Sequence, residues 1–394
     1  MNNEKMSNQY CGGLYEVGDK KFANKMLALI EATRTNSSIR WNYHDDVWST
    51  VDVEAAGALD MRALFCLRAK QLRDTYDYLA LYYSGGSDSW TVLDAFIRAG
   101  IMVDELIINW PLKATRGVGA VFSYKPDYTN LHPSNTLSEW DHFLEEDLKD
   151  IKKRFPKVII TISDWSEEAS HRLDENALLI TNPCMHHHAQ QVISSNYRSD
   201  GEKKATDLGL TTAYIYGADR PTIQKIGRAC YMFFDDRHTR VNVSLDSFGS
   251  TVEYFFWTPN MPILAINQAR VLFNAFANKL WPMSLLDNFR TPRVRSTHEL
   301  RKNIADFHDV SSRVSRPDYD FTRFQVDATS AILHNDRVEW CQNISEYRDS
   351  FKYWIDVVSA QFNLIDKKYL VFNQAGIYDG IKPMISKKYL IGKL

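Results

Sequence analysis

Residues 84–89, with the sequence Ser-Gly-Gly-Ser-Asp-Ser, constrain the fold of this chain more than any other stretch. An apolar run typical of a β-strand precedes them at 78–83, and a helix-like run follows at 90–99. The sequence therefore predicts a turn between the carboxyl end of a strand and the beginning of a helix. Two glycines allow the backbone to approach an anion closely, and the first N–H groups of a helix attract negative charge. This turn, the glycine-serine loop, is predicted to bind phosphate.

Strand-like and helix-like runs alternate around the loop. Further apolar runs typical of buried strands lie at 103–109, 157–163 and 211–216. Strands that alternate with helices at this spacing indicate a parallel sheet covered by helices on both faces. The predicted fold class is therefore α/β.

The remainder of the chain divides by periodicity. At 20–35 and 53–73 apolar residues recur at three- and four-residue spacing, which predicts a helical N-terminal segment over residues 1–73. The α/β domain is expected over 74–260. Within it, the short runs at 231–257 suggest either a hairpin insertion or an antiparallel edge.

Residues 261–394 are expected to form a mostly helical C-terminal domain, with helices at 262–280 and 335–362. An arginine-rich connector with little periodicity separates the two helices. Added domains commonly supply the specificity of a shared scaffold. We therefore expect this domain to lie on the substrate side of the site. The alternative is that it serves as plain scaffolding or as an oligomer contact.

Composition limits the class of protein. With 47 Lys and Arg against 49 Asp and Glu, the net charge of −2 gives no general basic field for nucleic-acid binding. Five scattered cysteines without a Cys-x-x-Cys pair indicate reduced thiols. No apolar run approaches the ~18–20 residues that span a bilayer. A cytoplasmic protein without membrane association is expected.

The glycine-serine loop is not a Walker A loop, because no lysine follows its glycines. It matches the pattern Ser-Gly-Gly-x-Asp-Ser and resembles the pyrophosphate loop of the N-type ATP pyrophosphatases, the PP-loop superfamily. That superfamily includes asparagine synthetase, 7-cyano-7-deazaguanine synthase and the phosphoadenylylsulfate reductases. The resemblance implies an adenine nucleotide alpha-hydrolase-like fold, with a branch near the first two enzymes.

The resemblance also implies ATP and Mg²⁺ as cofactors, bound where the strands end. The loop would hold the phosphates, the end of the second strand would lie against adenine, and a later Gly-Ala-Asp turn would close over pyrophosphate and metal. The implied nucleotide-binding residues are Ser84, Gly85, Gly86, Ser87, Asp88, Ser89, Ile108, Asn109 and Gly217.

Four residues are expected to carry the chemistry. Asp88 and Asp219 are the candidate carboxylates for Mg²⁺, which proteins usually hold through one or two carboxylates and phosphate oxygens. Lys225, Arg228 and Arg220 follow the Gly-Ala-Asp turn, and one of the three is expected to neutralise the charge on leaving pyrophosphate, with the others as surface charges. The alternative for Asp88 is a simple acidic residue in a helix first turn, and for Asp219 a turn residue.

The implied activity is AMP-forming: a substrate oxygen attacks the α-phosphorus of ATP, pyrophosphate leaves, and a nitrogen or sulfur nucleophile then displaces AMP. We expect the substrate to be a small molecule or a modified nucleoside, and homo-oligomerisation stays open. One alternative is a reductase of the phosphoadenylylsulfate type, disfavoured because the last cysteine, Cys341, is far from the C-terminus. Another is an inactive module that binds ATP or AMP.

The run Cys184-Met185-His186-His187-His188 suggests a metal site, but adjacent helical positions point about 100° apart and cannot chelate one ion. Cys184 and His188 share a face, yet zinc would need two further ligands. A structural or substrate-contact role is favoured for this run.

Overall fold

The structure is a computed structural model. It describes residues 12–109, 144–163, 199–217, 221–236, 251–278, 313–319, 360–372 and 378–394. Among these residues, no helix combines the length and apolarity needed to cross a membrane.

The described elements alternate between strands and helices through the middle of the chain. In chain order they are β1 (Leu14–Val17), β2 (Lys20–Phe22), α1 (Lys25–Thr35), β3 (Ile39–Asn42), α2 (Asp45–Trp48), α3 (Val53–Gly57), α4 (Met61–Thr75), β4 (Tyr78–Tyr82), α5 (Ser87–Arg98), β5 (Glu105–Asn109), α6 (Glu145–Arg154), β6 (Ile159–Ser163), α7 (Asp200–Asp207), β7 (Thr212–Tyr216), β8 (Thr222–Ile226), β9 (Ala229–Phe233), β10 (Thr251–Tyr254), α8 (Pro262–Ala277), a 3₁₀ turn (Lys367–Tyr369), β11 (Leu370–Phe372), β12 (Tyr378–Ile381) and β13 (Tyr389–Lys393).

The centre of the fold is a five-stranded parallel sheet with the strand order β10, β7, β4, β5, β6. Every residue of β4 is buried, and Leu79, Ala80 and Leu81 have no exposed surface. Burial on both faces explains why this strand reads as an unbroken apolar run. The four strands predicted from the sequence are confirmed. The full burial expected for the run at 157–163 is wrong, because β6 lies at the edge of the sheet and Ile159 and Ile162 are exposed.

Helices cover both faces of this sheet. On β10, Glu253 forms an ion pair with Arg68 of α4, and α4 packs against α5. Tyr214 of β7 lies opposite Val252, the neighbour of Glu253, and therefore points to the other face. There the Tyr214 hydroxyl donates to Glu202 of α7. The predicted α/β class with two covered faces is therefore confirmed.

The expectation of a helical N-terminal segment is wrong for part of its length. Strands β1, β2 and β3 form an antiparallel sheet in the order β2, β1, β3. These strands are only three or four residues long, too short for alternation to be distinguished from helical spacing. Residues 20–22, predicted as helix, belong to β2.

The C-terminal region also contains strands that the sequence analysis did not predict. Helix α8 confirms the helix predicted at 262–280, but β11 and β12 pair with each other and β13 pairs with β9. The hairpin predicted within 231–257 is not confirmed: β9 pairs with β8, which precedes this range, and residues 237–250 lie outside the described residues. The antiparallel edge is wrong, because β10 joins the central sheet in parallel with β7.

A buried ion pair joins distant parts of the chain. Lys25 Nζ lies 2.5 Å from Asp236 Oδ2, and the side chains are 4% and 1% exposed. The Tyr15 hydroxyl and the Met384 N–H also donate to this carboxylate. The N-terminal sheet, the end of β9 and the C-terminal segment therefore meet at one buried charge.

We expect Lys25→Met to destabilise the protein by about 3–5 kcal/mol, because it leaves the Asp236 carboxylate buried without its cation. Denaturant-induced unfolding followed by circular dichroism would measure this loss. The control is Lys20→Met, which removes an exposed partner of Glu31 and should change stability little. Equal effects of the two substitutions would contradict the buried ion pair.

Candidate functional site

The glycine-serine loop lies where the sequence predicts it, between the end of β4 and the beginning of α5. Gly85 has a φ of +74°, a conformation that side-chain-bearing residues rarely adopt. Gly86 is the N-cap of α5, with extended backbone and no side-chain cap. The beginning of α5 is therefore a glycine-lined helix N-terminus, the geometry that favours anions.

Two serines hold the loop in shape. Ser84 Oγ and Ser89 Oγ are 3.2 Å apart, and the Gly86 N–H donates to Ser84 Oγ. Ser89 Oγ also donates to the Gly86 carbonyl and accepts from the Ser84 N–H. Ser89 is 6% exposed, whereas Ser84 is exposed and Ser87 is half-buried. Ser89 therefore shapes the loop, and Ser84 and Ser87 are its more accessible hydroxyls.

Gly217, directly after β7, packs against the first turn of α5. A Cβ at this position would lie 3.0 Å from the backbone carbon of Asp88 and 3.0 Å from the backbone nitrogen of Ser89. Only glycine permits this approach without a shift of the helix. The ends of β4 and β7 therefore meet, as expected of neighbouring parallel strands.

The end of β5 lies beside β4. The Tyr83 N–H donates to the Ile107 carbonyl at 2.9 Å, which extends the pairing of the two strands toward the loop. Ile108 is 2% exposed, so its side chain belongs to the core, and only its main chain could meet adenine. Asn109 is the last residue of β5, and its side chain lies outside the described part of the structure.

Asp88 forms an ion pair that the sequence analysis missed. Arg316 Nε donates to Asp88 Oδ1 at 2.7 Å; the Arg316 side chain has no exposed surface, and that of Asp88 is 28% exposed. The carboxylate expected to face Mg²⁺ is therefore also the counter-ion of a buried guanidinium.

The protein compensates the buried charge of Arg316 on several sides. Nη1 donates to Gln268 Oε1 of α8 and to the Ser315 carbonyl, both at 2.9 Å. The guanidinium carbon lies 3.5 Å from the centre of the Phe256 ring, a cation–π contact. These contacts hold the guanidinium in one place beside α5.

Residues 313–319, here called the arginine strap, contact the loop at a second point. The Tyr319 hydroxyl donates to the Gly85 carbonyl at 3.1 Å, and its ring meets the Trp90 ring edge to face at 5.6 Å. Asp318 accepts two hydrogen bonds from Arg62 of α4, and the side-chain hydrogen bond from Arg62 lowers the pKa of Asp318. The strap therefore bridges α4, α5 and the loop.

The other expected catalytic residues lie elsewhere or are outside the description. Asp219 and Arg220 fall among the residues that the structure does not describe. Lys225 lies in β8, in the sheet formed by β8, β9 and β13, and not in the central sheet. Arg228 is exposed at the turn between β8 and β9, and its Nε donates to the carbonyl of the C-terminal Leu394. The run at 184–188 is also outside the described residues.

The residues present are compatible with Mg²⁺. Across the described parts of the chain, no three His, Cys, Asp or Glu side chains form a group that could hold a metal ion. A magnesium ion bound with a nucleotide needs less, because phosphate oxygens and waters supply most of its ligands. Asp88, part-exposed in the first turn of α5, can supply one carboxylate oxygen.

Comparisons with protein-family models, with curated proteins and with solved structures found no match to this chain.

We expect Gly217→Ala to displace the first turn of α5, because the added methyl group would meet backbone atoms 3.0 Å away. Overpacking of this kind costs about 1–3 kcal/mol, and binding of Mg²⁺ and ATP, measured calorimetrically, should weaken. The control is Gly209→Ala. Gly209 has a φ of +75°, so an alanine there is strained, but no atom beyond the neighbouring residues lies within 4 Å of the added Cβ. Its stability loss is about 1–2 kcal/mol, and its nucleotide binding should stay unchanged. Unchanged binding in both variants would show that Gly217 does not shape the site.

Proposed function

We propose that this protein binds ATP with Mg²⁺ at the glycine-serine loop and transfers AMP to an oxygen atom of its substrate. The observation that carries the proposal is the beginning of α5: a left-handed Gly85, a glycine N-cap, and Gly217 of the neighbouring strand against the same turn. This is backbone arranged for close approach by a phosphate at the carboxyl edge of a parallel sheet. The loop sequence, which resembles that of the PP-loop superfamily, supplies the reaction type.

In the proposed reaction the substrate oxygen attacks the α-phosphorus, the bond between this phosphorus and its bridging oxygen to the β-phosphorus breaks, and pyrophosphate leaves. A nitrogen or sulfur nucleophile then attacks the activated carbon, and AMP leaves with the substrate oxygen. Mg²⁺, when bound, would neutralise phosphate charge. The protein's part is to position the triphosphate at α5 and to hold the Asp88 carboxylate toward the metal.

The proposal extends to setting and partners. The substrate would be a small molecule or a modified nucleoside, since the balanced charge of the chain offers no general field for a polynucleotide. Cys66 and Cys230, the cysteines in the described residues, are thiols and not half-cystines. This agrees with a reducing compartment such as the cytoplasm.

A second candidate is a nucleotide-binding module without turnover. The observation that favours it is the pairing of Asp88 with Arg316, because a carboxylate neutralised by a guanidinium has less charge to offer Mg²⁺. Such a module would bind ATP or AMP through the loop alone.

The test is incubation of the protein with Mg²⁺, α-labelled ATP and a panel of carboxylates and nucleosides, with a supply of ammonia or sulfide. The proposal expects AMP and pyrophosphate. ADP and phosphate as products would contradict it. ATP binding without cleavage across the whole panel would support the second candidate.

We expect Asp88→Asn to lower the rate of pyrophosphate release by about 100-fold or more, because it removes a metal-facing charge from the site. It should also lower the melting temperature, since Arg316 would keep its buried charge without an anionic partner. The matched control is Asp94→Asn, which removes the partner of Arg98 on the same helix and should leave the rate near that of the wild type. A fully active Asp88→Asn protein would remove Asp88 from the mechanism.

A further inference from the structure

The arginine strap reaches the glycine-serine loop from far along the chain. Arg316 is 228 residues from Asp88, and Tyr319 is 234 residues from Gly85. These contacts are made by side chains of low exposure: Arg316 is fully buried and Tyr319 is 5% exposed. The loop is therefore enclosed on one side by part of the C-terminal region.

Arg316 limits the freedom of the Asp88 side chain. A guanidinium that donates from Nε to Asp88 and from Nη1 to Gln268 cannot rotate without breaking one of these bonds. The Phe256 ring against its face further restricts movement. Because Arg316 is immobilised, the carboxylate that it binds has one preferred orientation.

Tyr319 limits the freedom of the loop backbone. Its hydroxyl binds the carbonyl of Gly85, a residue whose lack of a side chain otherwise permits many conformations. In a trans peptide the C=O and the following N–H point in opposite directions. Fixing the Gly85 carbonyl toward the strap therefore directs the Gly86 N–H toward Ser84 Oγ, which accepts from it.

The strap is anchored independently of the loop. Asp318 binds Arg62 through two hydrogen bonds of 2.7 and 2.8 Å, and Arg98 lies 3.7 Å from the same carboxylate. Arg62 belongs to α4 and Arg98 to the last turn of α5. The strap thus spans from the two helices to the beginning of α5.

We propose that Arg316 and Tyr319 are positioning residues for the nucleotide site: Arg316 orients the Asp88 carboxylate and Tyr319 orients the peptide between Gly85 and Gly86. Neither residue touches the nucleotide in this account, because both are buried behind the loop. The inference rests on the proposed function for the identity of the ligand. The claim that Arg316 and Tyr319 order the loop does not depend on the ligand.

The experiment uses the full chain with the single substitutions Arg316→Met and Tyr319→Phe. Arg316→Met removes the guanidinium, whereas Tyr319→Phe removes only the hydroxyl and keeps the ring against Trp90. The control is Arg68→Met, which removes another buried arginine from an ion pair, the one with Glu253. All comparisons are made at a temperature where circular dichroism shows the variants folded.

The first readout is hydrogen exchange of the peptides that cover residues 84–90, without ligand. Loss of a hydrogen bond to the loop should speed exchange there by about tenfold in both strap variants and should leave it unchanged in Arg68→Met. If Arg316→Met does not fold, the loop exchange of Tyr319→Phe alone decides whether the strap orders the loop. Loop exchange equal to that of the wild type in the folded strap variants would overturn the inference.

The second readout is catalytic and separates positioning from stability. In the strap variants the kcat of pyrophosphate release should fall about 10- to 100-fold, with a much smaller change in KM for ATP, whereas the control stays within about threefold of the wild type. Combining Arg316→Met with Asp88→Asn should cost no more than Asp88→Asn alone, because both act through one carboxylate. Additive losses would overturn the role of Arg316.

The two readouts separate this inference from the proposed function. If the wild type neither binds nor cleaves ATP, the proposed function fails, and the exchange measurement still decides whether the strap orders the loop. If the wild type is active but the strap variants keep wild-type exchange and kcat, the proposed function stands and the positioning role is wrong.

Discussion

Burial of the central parallel sheet on both faces is the constraint on which the rest of the structure depends. Strands that run in one direction all have their carboxyl ends at the same edge of the sheet, and the segments that follow these ends lie side by side there. The glycine-serine loop follows β4 and Gly217 follows β7. Because these strands are neighbours in the sheet, the pairing of the strands is enough to bring the two segments into contact. The contact between them demands glycine. The same arrangement that builds the core therefore brings Gly217 against the glycine-capped first turn of α5.

Local patterns predicted this part of the molecule well. The apolar run of β4 is continuous because both faces are covered, and Gly85 has the positive φ that only a glycine adopts easily. Both features depend on residues next to one another in the sequence. The same is true of α8, whose apolar residues recur over several turns. Strand, turn and helix were predictable for this reason.

The rest depends on contacts between distant residues, and no local pattern reports them. Nothing around Arg316 distinguishes it from the many other basic residues of the chain, because its role comes from Asp88, Gln268 and Phe256 in three other segments. Arg316 is buried and needs an anionic partner, and that partner is Asp88. This ion pair brings residues 313–319 of the C-terminal region to the site. Strands β1 to β3 were missed for a different reason, since three or four residues are too few to establish a period of two.

The central claim is that the beginning of α5 binds the phosphates of ATP. A crystal structure of the protein soaked with Mg²⁺ and a non-hydrolysable ATP analogue tests it most directly. The account predicts a triphosphate against the first turn of α5, with the metal within reach of Asp88. A nucleotide bound away from this turn, or a turn that stays empty at saturating analogue, would contradict it.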